Sequence, residues 1–216
     1  MRIKWYGHSS FYITSELGTT ILIDPYGRKF LGYHMPEVSA NIVAVTHEHR
    51  DHNQVHIVKG DYELLNQAGS FCVKEIEIKG IPTFHDNVGG AKKGNNLVFV
   101  FTIDGLTLCH CGDLGHLLTP EQLNEIGDVD VLMLPIGGGR TLGGVQAAEV
   151  RNQLRPAIVI PMHYRTKALG IAGRFFFENE HGFIKATGLP RLEVEELVVT
   201  RESLPDSAKV VTLNYQ

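Results

Sequence analysis

Ile42-Val43-Ala44-Val45 runs directly into Thr46-His47-Glu48-His49-Arg50-Asp51-His52. The apolar run is short enough to be a buried strand, so three histidines and an aspartate fall within six positions at a strand end. In extended backbone residues i and i+2 point the same way, so His47 and His49 can hold one cation. A turn beginning near Arg50 then aims Asp51 and His52 at a neighbouring position. Two metals a few ångströms apart are the natural reading of this spacing. The alternative is a solvated loop rich in histidine by chance; the buried strand before it and the density of ligand types tell against that.

A metal needs about four donors or more, so the remaining ligands must come from distant parts of the chain. His85 follows Gly80-Ile81-Pro82-Thr83-Phe84, Asp113 follows Cys111-Gly112, and His163 follows Ile158-Val159-Ile160-Pro161-Met162. Each closes an apolar run. Taken singly, any of them is equally well a satisfied polar residue at a strand end; with the histidine cluster they supply the missing donors.

Besides 42–46, aromatic and β-branched runs between turn residues predict strands at 3–6, 11–14, 20–23, 71–78, 97–103, 106–110, 129–134, 157–160, 194–200 and 209–213. Thr119-Pro120-Glu121-Gln122, a threonine cap with proline at the first helical position, starts a helix running toward Ile126. A second spans 144–154 and stops before Pro156. Many strands with interspersed helices and no strict alternation suggest stacked sheets covered by helices. No linker, charge block or repeat divides the chain, and the glycine pairs mark loops, so 1–216 reads as one compact domain.

Composition narrows the class of partner. With 24 acidic residues against 20 basic ones, the net charge of −4 excludes a general nucleic-acid binder, and any anionic substrate must be held by local cations. No apolar stretch suits a membrane span or a signal peptide, which predicts a cytoplasmic protein that keeps its N-terminus. Cys72, Cys109 and Cys111 are too sparse for a disulfide framework, and the Cys-x-Cys pair lacks a second pair to complete a soft metal site. A monomer and a homo-oligomer both remain open.

Five elements, in order along the chain, resemble the metallo-β-lactamase superfamily: Leu22-Ile23-Asp24-Pro25, the His-x-His-x-Asp-His element ending at His52, His85, Gly112-Asp113 and His163. The resemblance implies an α/β (α+β) chain folded as a four-layer αββα sandwich with metals at the common edge of its sheets. It also implies that His47, His49 and His85 hold the first metal, that Asp51, His52 and His163 hold the second, and that Asp113 spans both. Within the superfamily the chain is similar to a bacterial subgroup of Zn-dependent hydrolases related to the L-ascorbate-6-phosphate lactonases. Trp5-Tyr6-Gly7-His8-Ser9-Ser10-Phe11, Phe84-His85-Asp86, Gly112-Asp113-Leu114-Gly115-His116 and Ile160-Pro161-Met162-His163-Tyr164 carry that similarity. The loop at 89–96 departs from those lactonases, so their substrate does not transfer.

The chemistry implied is hydrolysis of a small-molecule ester, lactone or phosphodiester by a hydroxide activated between two divalent ions. Zinc is the default, with manganese, iron or nickel also compatible with nitrogen and oxygen donors. Asp51 would both ligate and orient the attacking hydroxide, and Asp24 would accept a hydrogen bond from a ligating histidine. His8 and His116 are candidates to approach the substrate, each against a buried or surface alternative. Tyr164 is a candidate oxyanion donor, and Arg140 and Lys167 are candidate anion contacts. Glu48 lies between ligands and does not replace one, which weakens a redox reading. The rival functions are a metallo-nuclease of the same fold, which would need a basic strip, and a metal-binding scaffold without activity, which would be expected to lack donors.

Overall fold

Alternation decides which way each short strand faces. Thr20–Ile23 places Ile21 and Ile23 in one apolar cluster and Leu22 in another; Ile42–Ala44 does the same with Ile42 and Ala44 against Val43. Both strands are therefore apolar on two faces, as expected for a sheet covered on both sides. The computed structural model, which describes residues 1–30, 32–171 and 173–215, shows how the cover is built.

The chain opens with β1 (Arg2–Gly7), β2 (Ser10–Thr14) and β3 (Thr20–Ile23), followed by a small hairpin of β4 (Lys29–Phe30) and β5 (Tyr33–His34). β6 (Ile42–Ala44) and β7 (Glu63–Leu65) come next, then β8 (Gly69–Val73), β9 (Ile76–Phe84), β10 (Asn95–Ile103) and β11 (Leu106–His110). Helix α1 (Pro120–Ile126) leads to β12 (Val131–Pro135), α2 (Gly144–Leu154) to β13 (Ile158–Met162), and α3 (Gly173–Phe176) and α4 (His181–Thr187) to β14 (Arg191–Val194), β15 (Leu197–Val198) and β16 (Lys209–Leu213).

These strands form a six-stranded sheet in the order β15-β1-β2-β3-β6-β7 and an eight-stranded sheet in the order β14-β16-β13-β12-β11-β10-β9-β8. Trp5, Phe11 and Ile13 of the first share one core with Phe99, Phe101 and Leu108 of the second. Helix α2 packs on β12 and on α4, and α1 packs on β9. The other face of the first sheet is covered by Tyr33 of the β4–β5 hairpin and by Tyr26, Leu169 and Phe177 from loops and short turns. The architecture is the sheet-on-sheet α/β sandwich expected from the sequence.

The cap at Thr119 is as predicted, with its hydroxyl accepting from Gln122 N–H and Gln122 reaching back to Thr119 N–H. Two strand predictions need correction. Residues 71–78 are a hairpin, β8 and β9, because Lys74 takes a φ of 55° and pairs Val73 with Ile76 across a two-residue turn. Residues 194–200 break at Glu195-Glu196, sending β14 to the large sheet and β15 to the small one. Helix α4 and strand β7 carry too few residues for periodicity to reveal them. Among the described residues no helix is long and apolar enough to cross a membrane.

Candidate metal centre

Strand direction brings the ligand types together. β3, β6 and β7 run parallel, as do β11, β12 and β13. β9 is antiparallel to β10 and β10 to β11, so β9 ends where β11 ends; by the same two reversals β1 ends where β3 ends. His8, Asp24, His47, His85, Asp113 and His163 all follow these strand ends and meet at one edge. Leu97 N–H donates to Thr46 O at 2.8 Å and ties the two sheets together there. His8, Asp24 and His163 have φ values of 54°, 47° and 53°, so the chain turns sharply at each. Left-handed backbone at such residues is held against a cost by the surrounding structure, a recurrent property of functional sites.

One carboxylate orients two of the histidines. Asp24, fully buried, accepts from Thr46 N–H, from Thr46 Oγ1 and from His52 Nδ1, each at 2.8 Å. With its proton given to Asp24, the Thr46 hydroxyl accepts from His47 Nδ1 at 3.0 Å. Both imidazoles thus turn Nε2 toward the cluster, where a neutral ring would offer the lone pair a metal requires. His47 Nε2 lies 3.1 Å from His49 Nδ1.

Asp113 stands at the centre. Its Oδ2 is 3.1 Å from His85 Nε2, 3.2 Å from His163 Nε2, 3.4 Å from His52 Nε2 and 3.9 Å from His47 Nε2. A carboxylate oxygen has two lone pairs, so four imidazoles around it exceed what hydrogen bonding explains. His52 Nε2 is moreover buried without a hydrogen-bond partner. His47, His49 and His85 form one convergent trio, and His52 and His163 form another with His8. The donor set therefore fits divalent cations. Asp24 also converges on His47 and His52, but its oxygens are already taken by Thr46 and His52.

The frame around Asp113 leaves no slack. Asn96 Oδ1 accepts from Asp113 N–H at 2.9 Å, while its amide donates to Thr83 Oγ1 and Cys111 O at 2.8 and 3.0 Å. Gly112 has a φ of 56°, and a Cβ there would lie 2.3 Å from Asn96 Oδ1. Buried His110 donates from Nε2 to Ser9 O at 2.9 Å and accepts from Gly112 N–H at 3.1 Å, so it braces two of the loops.

Burial would raise the Asp113 carboxyl, but the charges of His163 and His52 hold it well below the usual carboxylate range. Asp51 is likewise held low against its burial by the hydrogen bond from His8 and the charge of His52. Burial and neighbouring imidazoles push His8 down to about 4 and His47 down to about 3, which keeps both neutral at physiological pH. His52 moves the other way: burial opposes its charge, but Asp113 and Asp24 raise its pKa well above normal.

The histidine and carboxylate cluster floors a cavity of about 810 Å³ that is also lined by Arg50, Gln54, Lys93, Arg140, Phe176 and Phe177. Asp51 lines it, with Oδ2 3.2 Å from His8 Nε2 and 4.0 Å from His52 Nε2. His8 thus lies inside the cluster, 4.1 Å ring to ring from His163. Arg140 lines the cavity with its guanidinium 6.0 Å from the Phe176 ring.

Three expected residues lie elsewhere. His116 donates from Nδ1 to Leu117 O at 2.8 Å and accepts at Nε2 from Phe84 N–H at 3.1 Å, so both its nitrogens are spent on backbone. Tyr164 follows the turn at His163 into the core and stacks on Trp5 at 5.5 Å. Lys167 is exposed on a turn and does not line the cavity. Conversely, Lys93 and Asn96 escaped the sequence reading, since a lysine in a glycine-rich loop and an asparagine opening a strand carry no pattern of their own. Cys109 and Cys111 are buried in the core as free thiols.

Two packed sheets with histidines and carboxylates gathered at their common edge define a metal-dependent hydrolase of the metallo-β-lactamase type. The chain belongs to that superfamily: residues 2–163 match the beta-lactamase superfamily domain. It is 34% identical over 196 residues to the UPF0173 metal-dependent hydrolase of Pyrobaculum neutrophilum, covering 77% of this chain and 85% of that one. A candidate zn-dependent hydrolase of the metallo-beta-lactamase superfamily from Thermotoga maritima has a crystal structure that superposes with a TM-score of 0.81 at 38% identity, covering 98% of this chain and 97% of that one. The metallo hydrolase Igni18 from Ignicoccus hospitalis shares the fold with a TM-score of 0.64 at 21% identity, covering 97% and 93% of the two chains.

Proposed function

We propose that the chain hydrolyses an ester, lactone or phosphodiester bond of a small molecule at a dinuclear centre. His47, His49 and His85 would hold one divalent ion, Asp51, His52 and His163 the other, and Asp113 both. The observation that carries this is Asp113 Oδ2, set within 3.4 Å of His85, His163 and His52 and so shared between the two trios. Bound divalent ions would supply acidification of water and polarisation of the bond under attack; zinc is the default, with manganese, iron or nickel also compatible with the donors.

The protein's part is positional. Asp51 reaches both the cluster and the cavity, and its carboxylate orients the attacking water and accepts its proton. The His8 hydrogen bond fixes which oxygen of Asp51 is free to do so. His8, buried among the same histidines, acts on the site through its hydrogen bond to Asp51. Phe177 lies 5.1 Å from the His163 ring and keeps bulk water from that side. A small molecule is better supported than nucleic acid, because a net charge of −4 leaves no surplus for a phosphate backbone.

The test is a screen of metal-loaded protein against aryl esters, a lactone and bis(4-nitrophenyl) phosphate, with zinc and then manganese. Turnover should appear with at least one class and vanish in Asp51→Ala while circular dichroism stays unchanged. Full activity in metal-replete Asp51→Ala would refute the assignment.

A further inference from the structure

Three cations border the cavity. Arg50, Lys93 and Arg140 line it, and among the described residues none of the three forms an ion pair. The two carboxylates of the cavity, Asp51 and Asp113, face histidines instead.

Lys93 is delivered there by a built loop. Asp86 Oδ1 accepts from the N–H groups of Val88 and Gly90 at 2.9 and 2.8 Å, and its Oδ2 accepts from those of Lys92 and Lys93, both at 2.8 Å. Four backbone donors folded around one carboxylate fix the direction in which the Lys93 side chain leaves. Its Nζ then crosses to the loop between β12 and α2, donating to Gly139 O at 3.1 Å and Arg140 O at 2.5 Å. These acceptors are neutral, so the ammonium keeps its charge and a third proton. The Arg140 guanidinium, which lines the same cavity and whose charge acts on Lys93, is held over the Phe176 ring, a contact that orients the fork without neutralising it.

We propose that Lys93 and Arg140 form an anion subsite that takes a carboxylate or phosphate group carried by the substrate, next to the bond the metal centre cleaves. The proposal rests on the hydrolase reading above and adds the substrate class. Arginine offers a planar pair of donors and lysine a point charge, and together they match an oxyanion with two or three free oxygens. Phe176 and Phe177 provide an apolar wall for the remainder of the molecule.

Calorimetric titration of metal-loaded protein with phenyl phosphate, benzoate and uncharged benzyl alcohol tests it. At least one anion should bind about tenfold or more tighter than benzyl alcohol, the scale of a charge-assisted hydrogen bond. Lys93→Met and Arg140→Ala should each weaken that anion about tenfold and leave benzyl alcohol unchanged, and Lys93→Arg should restore it. Arg140→Ala leaves the carbonyls that Lys93 uses in place, so it removes the guanidinium and not the loop contact. The anion more strongly affected identifies phosphate or carboxylate as the headgroup. Anion affinity no greater than that of benzyl alcohol, or retained in either variant, overturns the subsite. Failure of the hydrolase reading shows separately, as anion discrimination in a protein that turns over no substrate.

Discussion

Asp24 accepts a hydrogen bond from His52 Nδ1 at 2.8 Å, with neither side chain reached by solvent. The same carboxylate holds Thr46, whose hydroxyl holds His47. One residue on the loop after β3 therefore sets the ring orientation of two residues on the loop after β6.

Asp24→Ala should lower metal affinity by about 10–100-fold, the usual effect of losing a partner behind a ligating histidine. Competition with a chromophoric chelator reads this directly. Unchanged affinity would mean that His47 and His52 are oriented by packing alone.

Metal removal should also be visible as lost stability. An ion that binds only the folded chain adds about 2.7 kcal/mol when free metal exceeds Kd about a hundredfold, which is several degrees of Tm in a chain of this size. Differential scanning calorimetry before and after chelation should show that drop, and readdition of zinc should reverse it.

Gly112→Ala should destabilise the fold by about 1–3 kcal/mol, since the residue combines left-handed backbone with a Cβ that Asn96 leaves no room for. Urea denaturation measures the loss. Because Asn96 holds Asp113 N–H, the variant should lose metal affinity as well.

The Asp86 carboxyl is held well below its ordinary value of 3.8: burial raises it, but the N–H groups of Val88, Lys93, Lys92 and Gly90 more than offset that. A lowered carboxylate stabilises its loop at pH above the unfolded value and loses that contribution only as pH falls through the folded one. Protection of the Val88, Gly90, Lys92 and Lys93 amides, taken relative to their intrinsic exchange rates, should thus persist at pH 4 and be lost only in stronger acid. Asp86→Ala should show fast exchange throughout.

Lys93 has a pKa below the ordinary 10.5, first because of its burial, with the fields of Asp113 and Asp86 opposing the shift. Anion binding needs the protonated amine, so affinity should fall as pH rises through a value below 10.5. Lys93→Arg, charged throughout that range, should abolish the fall. Titrating phenyl phosphate across alkaline pH checks both.

The sequence by itself determined the local pieces. The bounds of β3, β11, β16, α1 and α2 follow from β-branched and apolar runs set between turn residues, the Thr119 cap and Pro156, and the density of ligand types after β6 pointed to a metal centre. All of these act over a few residues, so spacing expresses them. Partnerships depend on distance in the fold instead, and only the tertiary structure decided those. His8 meets Asp51 across 43 positions and Lys93 meets Arg140 across 47, through side chains aimed by left-handed turns and by a loop wound around Asp86. Tyr164 stands beside a candidate ligand in the sequence and His116 three residues after one, yet both face away, because each step along a turning backbone redirects the side chain. Such directions are set by sheet pairing and packing, which no periodicity in the chain records.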